Sequence, residues 1–210
     1  MFVKMSILKK FMKIAYKQQG LVLANSGERL LIAGDRWEMD ILREMVPKEL
    51  LAAIIELAGT VPDLGERFNS TKEGNQMEMA NLTIRGRDCQ TEYMVTDMIL
   101  VAASGVHQRI LQNYGTGKIQ AVNEAFIMLI DQGEIDKKAG ETEPGGPYLS
   151  EYEAMWENNV MRFKVRTRRD DENREILKKL EEAVDLTPWR MRTQSDDVPE
   201  DGDEEETEEA

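Results

Sequence analysis

The chain has one cysteine (Cys89) and one histidine (His107), and aromatic residues make up only 6% of its 210 positions. A single cysteine excludes an internal disulfide and fits a reducing compartment. One Cys and one His cannot build a structural zinc site by themselves, so zinc held within one chain is excluded, and no residue pattern calls for a cofactor. No apolar run nears the ~18 residues of a membrane span; residues 98–103 are among the longest. The opening MFVKMSILKKFMKIAY mixes lysines with apolar residues, without the uninterrupted core and small-residue cleavage site of a signal peptide. The expectation is a soluble, cytoplasmic protein with no membrane partner.

Positive charge is missing from the last residues altogether. Between Gln194 and Ala210 stand Asp196, Asp197, Glu200, Asp201, Asp203, Glu204, Glu205, Glu206, Glu208 and Glu209, with no Lys or Arg. The formal net charge of -13 belongs mostly to this stretch, because without its ten carboxylates residues 1–193 carry only -3. A tail of this composition cannot bury enough apolar surface to order itself. What precedes it is near neutral and, at 41% hydrophobic overall, long enough to bury a core.

Among the elements, the clearest lie between Leu21 and Gly59. LVLA and RLLIA are separated by Asn25-Ser26-Gly27-Glu28, a loop that predicts a β-hairpin. Pro47 and Gly59 bracket a helix whose apolar face is Leu50, Leu51, Ile54, Ile55 and Ala58. Before the hairpin, Val3, Ile7, Leu8, Phe11 and Met12 predict a short N-terminal helix over residues 2–13, with residues 14–24 extended. Residues 36–45 read as either a third strand or a helix start. Residues 60–75 read as loop, and residues 77–85 as a strand.

The middle is expected to be helical. Val95, Ile99, Ala102, Val106 and Ile110 keep helical spacing, although a strand face is the alternative. Ile119, Val122, Phe126, Leu129 and Ile130 predict a second helix ending at Gly133. GETEPGGP at 140–147 reads as a connector, and residues 148–157 as helix. Next comes the strictest alternation in the chain, Met161, Phe163, Val165 and Thr167 against Arg162, Lys164, Arg166 and Arg168. It predicts a strand with one apolar and one cationic face. Asp170 can cap a following helix with a stripe of Ile176, Leu177, Leu180 and Val184. The fold class is therefore α+β: an N-terminal β-hairpin plus helix, a helical middle, a strand–helix unit near the C-terminus and a disordered acidic tail. The expected division is a body at 1–139, a connector at 140–147, a helix–strand–helix unit at 148–193 packed on the body, and the tail at 194–210.

For chemistry, the cationic strand is the leading feature. Arg162, Lys164, Arg166, Arg168 and Arg169 could contact successive phosphates of DNA or RNA; the bland alternative is a solvated outer strand, charged against edge pairing. The tail could fold back on these cations, or engage a basic protein partner. His107, between apolar neighbours at helical spacing, reads as a helix-surface residue rather than a base, and Cys89 beside Asp88 lacks the cationic surroundings of an activated thiolate. Tyr114-Gly115-Thr116-Gly117-Lys118 fails the P-loop pattern, since Ile119 replaces the metal-binding Ser or Thr, and it reads as a turn with Thr116 as cap. Asp63 with Asp136 and Lys138 formally matches a metal-dependent nuclease arrangement. Asp35, Glu38 and Asp40 around Trp37 form a further carboxylate cluster that reads as surface charge. The functional expectation is a non-enzymatic interaction or regulatory protein, an accessory factor in nucleic-acid transactions with the tail as modulator. An inhibitor or assembly protein acting on another protein is the alternative, and a metal-dependent nuclease is the third reading.

Overall fold

A computed structural model describes residues 1–77, 91–102, 104–113, 115–150, 153–167 and 174–183. The architecture is mixed α and β, mostly sheet, with four helices among these residues. No described helix is long and apolar enough to cross a membrane.

The N-terminal reading is realised with sharper boundaries. Helix α1 runs Met5–Lys17 and buries Leu8, Met12 and Ala15, four and three residues apart on one face. It extends past the expected residue 13, so residues 14–17 are helical rather than extended. Strands β1 (Leu21–Asn25) and β2 (Arg29–Ala33) form the predicted hairpin, with Leu23 opposite Ile32. Their turn is pinned where the Asn25 Oδ1 accepts from the Gly27 N–H at 2.9 Å, and Gly27 has φ +94°, a conformation that favours glycine. Residues 36–45 resolve as a strand, β3 (Trp37–Leu42), followed by one 3-10 turn. Helix α2 (Lys48–Ala58) ends at Gly59 in the left-handed region, as expected. It buries Leu50, Ala53 and Ile54, whereas Ile55, assigned to the same face from sequence, is 50% exposed. Lys9–Glu49 (2.7 Å) and Lys13–Glu56 (3.3 Å) tie α2 to α1.

The stretch expected to be loop contains a hairpin, β4 (Arg67–Thr71) with β5 (Gly74–Met77). The strand expected over residues 77–85 lies largely outside the described residues; Met77 is the last residue of β5.

The helical middle is overturned. Residues 91–113 form β6 (Thr91–Glu92), β7 (Met94–Val101) and β8 (His107–Gln112), and the expected second helix is β9 (Ile119–Asn123) followed by the one-turn α3 (Glu124–Ile127). Two features misled the helical reading. The register of β7 against β8 shifts between Val95 and Ile99, which breaks the strict alternation that marks a strand. In the other segment the helix-like spacing spans two elements: Ile119 and Val122 are on β9, Phe126 is on α3, and the Asn123 side chain caps α3 by accepting from the Ala125 N–H at 2.9 Å. The segment expected to be a helix at 148–157 is also β, as β10 (Gly145–Leu149) and β11 (Glu153–Glu157). Gly145 to Pro147, read as connector, are the start of β10, with a cis Gly146–Pro147 peptide.

The strand and helix expected near the C-terminus are both present, as β12 (Met161–Arg166) and α4 (Arg174–Ala183). They join different layers. Nine strands form one antiparallel sheet in the order β5-β4-β1-β2-β3-β12-β11-β10-β6, and β7-β8-β9 form a second. Strand β12 therefore lies inside the large sheet between β3 and β11, while α4 lies against β9. Across the large sheet one row of paired residues reads Phe68, Leu23, Ile32, Met39, Phe163 and Trp156. All six are buried in the main core, which α1, α2, α3 and one face of the small sheet complete. Phe11 of α1 joins the helices to this core through Trp37 (6.4 Å between ring centres) and Phe126 (5.2 Å).

Candidate interaction surface

Alternation along β12 comes out as the sequence predicts. Met161, Phe163 and Val165 are buried, Arg162 and Lys164 are half-buried, and Arg166 is exposed. The cationic side chains thus occupy the sheet face opposite the helices. Trp156 and Phe163, the aromatics nearest the basic residues in sequence, are both on the core face, 6.3 Å apart between ring centres, so neither offers a stacking platform beside the cations.

The alternative of a solvated outer strand is overturned by position: β12 is flanked on both sides. That placement gives each of its cations a carboxylate across the ladder. Arg162 is opposite Asp40 on β3 and Glu157 on β11, and its Nε lies 3.3 Å from the Glu157 Oε2. Lys164 is opposite Glu38, and Arg166 opposite Glu153. Cross-strand pairs of opposite sign stabilise a sheet modestly. Asp40 is only 1% exposed and is satisfied by a hydrogen bond and ion pair from the Arg29 Nε. Arg29 also donates through Nη2 to the Val160 carbonyl at 3.5 Å.

Electrostatically the face is a mixed lattice rather than a basic stripe. Burial lifts the Glu38 carboxyl above its ordinary value; Lys164 pulls it back, Asp40 and Glu153 push it further up, and Arg67 lowers it. By register Arg29, Arg67, Arg162, Lys164 and Arg166 share this face with Glu38, Asp40, Glu92, Glu153 and Glu157, an equal number of each sign. Met155 lies between Lys164 and Tyr148 in the same layer and is fully buried. The sequence reading found the cations and missed their partners. Trp37, Met39 and Ile41 alternate with Glu38 and Asp40, the inverse-charge image of β12, and that signal could have paired the two segments.

The remaining candidates scatter. Arg168 and Arg169, and every carboxylate of the acidic tail, lie outside the described residues, as does Cys89. His107 is exposed at the start of β8, a strand rather than a helix. The Gly115–Lys118 turn joins β8 to β9 and does not cap a helix; the Asn113 Oδ1 accepts from the Gly115 N–H (3.0 Å), the Thr116 N–H (2.7 Å) and the Thr116 hydroxyl (2.9 Å). Those two amides, which a phosphate would need, are therefore already used inside the turn. Asp136 uses its Oδ1 on the Lys138 and Ala139 N–H groups of its own 3-10 turn. Among the described residues no three His, Cys, Asp or Glu side chains come together as a metal-holding group. A comparison of the chain with protein-family models and with curated proteins finds no match to either.

Proposed function

We propose that the chain is a non-enzymatic interaction protein whose contact surface is the charged face of the large sheet centred on β12, and that its partner is another protein carrying both signs of charge. The observation that supports this reading is the pairing of each β12 cation with a carboxylate on β3 or β11. A nucleic-acid backbone laid along Arg162, Lys164 and Arg166 would also run over Glu38, Glu153 and Glu157, and the repulsion would offset the phosphate contacts on which such binding depends. A protein surface of alternating charge can match the lattice position by position, which favours specificity and register more than raw affinity. The acidic tail fits as a tethered competitor for the cations of this face, at high effective concentration.

The test uses the full chain as bait in extracts of its native host, beside Arg166→Glu and a chain ending at Thr193. The expected outcome is a protein retained by the full chain, lost with Arg166→Glu and enriched on the shortened chain. Random-sequence DNA and RNA serve as the second arm. Salt-sensitive binding to either, strengthened by removing residues 194–210, would replace this reading with the nucleic-acid one. If the same proteins are captured by all three baits, the charged face is not the contact surface.

A further inference from the structure

One face of the small sheet belongs to the main core through Val95, Leu111 and Val122, and the other carries a separate apolar cluster of Ile110, Ile119 and Ala121. Exposures of these last three are 0%, 6% and 2%, with Met98 and Leu100 partly buried at their edge. Leu177 and Leu180 of α4 pack on that cluster, yet they remain partly exposed themselves. None of the described α4 side chains, Glu175 to Glu182, is buried, and Ile176, expected in its apolar stripe, is 47% exposed. A polar contact adds to the docking: the Ile119 N–H donates to the Glu181 Oε1 at 2.9 Å.

We infer that α4 is a releasable strap, and that the face beneath it is a helix-docking surface which takes α4 from a second copy of the chain when its own is released. A ten-residue helix has little stability of its own, so α4 depends on its packing, which among the described residues is carried by Leu177, Leu180 and Glu181. The sheet beneath does not need the strap to hold together. Its other face is anchored in the main core, and Arg109 clamps β8 to α3 with hydrogen bonds to both Glu124 oxygens, 2.7 and 2.5 Å long. Opening is therefore local, and it bares the Ile110–Ile119–Ala121 cluster without unfolding the strands. The second copy is the occupant because its α4 carries the pattern this face already accepts, two leucines three apart and a carboxylate one residue on. Every contact broken within one chain is remade between two, the condition under which an element exchanges at low cost.

The experiment uses the full chain, a Leu177→Asp/Leu180→Asp variant of it, and a helix-stabilised peptide of residues 174–183 as the probe. The variant should bind the peptide about tenfold or more tightly than the wild type, whose occupied face lowers the apparent affinity by its small open fraction. By sedimentation, a concentration-dependent dimer should form with the wild type and not with the variant. In hydrogen exchange the Ile119 amide should open more readily than amides paired within the β8–β9 ladder. Equal peptide binding by both proteins, absence of binding by the variant, or a wild-type chain that stays monomeric at every concentration would overturn the inference. So would an Ile119 amide that exchanges only with global unfolding. A double variant that fails to fold counts against it as well, since α4 would then be part of the core.

Discussion

The two sheets are covered in opposite ways. Over the large sheet, α1 and α2 sink Leu8, Met12, Leu50 and Ile54 to zero exposure and seal rows of paired apolar residues. Over the outer face of the small sheet, none of the described α4 side chains is buried, and Leu177, Leu180 and Glu181 are those seen to meet the strands. The difference teaches that helices in one small protein can serve unlike purposes. The first two are sealed into the main core, and the last rests on its sheet through partly exposed side chains.

The largest loss of stability is expected at the centre of the large sheet. Phe163→Ala removes a fully buried ring that faces both Trp156 and Phe126 at 6.3 Å, and it should cost about 3–5 kcal/mol, read from denaturant midpoints. Next is Glu124→Ala, which removes two charge-assisted hydrogen bonds from an Arg109 whose side chain is 5% exposed, leaving its bond to the Thr96 carbonyl at 3.1 Å in place; taking the carboxylate from this buried pair should cost about 3 kcal/mol. Such a loss would show that the small sheet is held from its core side. A matched pair then sharpens the contrast between covers. Leu50→Ala on α2 should cost about 2–5 kcal/mol and Leu180→Ala on α4 under about 1 kcal/mol. Equal costs would erase the distinction.

The smallest expected effect concerns pH. Because the folded state keeps Glu38 protonated to higher pH than the unfolded chain does, its contribution is full below the ordinary value of 4.5 and lost as pH rises through the elevated folded value. Glu38→Gln should remove that decline. Urea midpoints measured across a pH series should show the variant gaining on the wild type through this window and then running parallel to it.

How much of this was legible in the sequence depends on how local the signal was. The β1–β2 hairpin, α2 and the alternation of β12 each rest on residues close together in the chain, and each is present. The small sheet was not legible because β7 carries a register shift and β9 runs directly into α3, so the apolar spacing imitates a helix where two short elements meet. Of the expected α4 stripe, Leu177 and Leu180 face the sheet, Ile176 does not, and Val184 lies outside the described residues. For the candidate surface, the cations Arg162, Lys164 and Arg166 were legible and their carboxylates were not. Glu38 and Asp40 reach them through a pairing between segments more than a hundred residues apart, and only a comparison of the two alternating segments, opposite in charge, points to it.

That same pairing sets an order of events during synthesis. While the chain emerges, β1, β2 and β3 can form a meander as soon as they appear, but the far edge of β3 has no partner until Met161 to Arg166 follow. Through that interval Trp37, Met39 and Ile41 lie beside an open row of amides and carbonyls, the arrangement most prone to pair with a neighbouring nascent chain. Asp40 is already paired with Arg29 of β2 at that stage, so the charge on Glu38, which stands between Trp37 and Met39, is then a repellent between identical unfinished chains. Only when the oppositely charged strand arrives does the edge become attractive, so the lattice that completes the sheet also guards it while it waits.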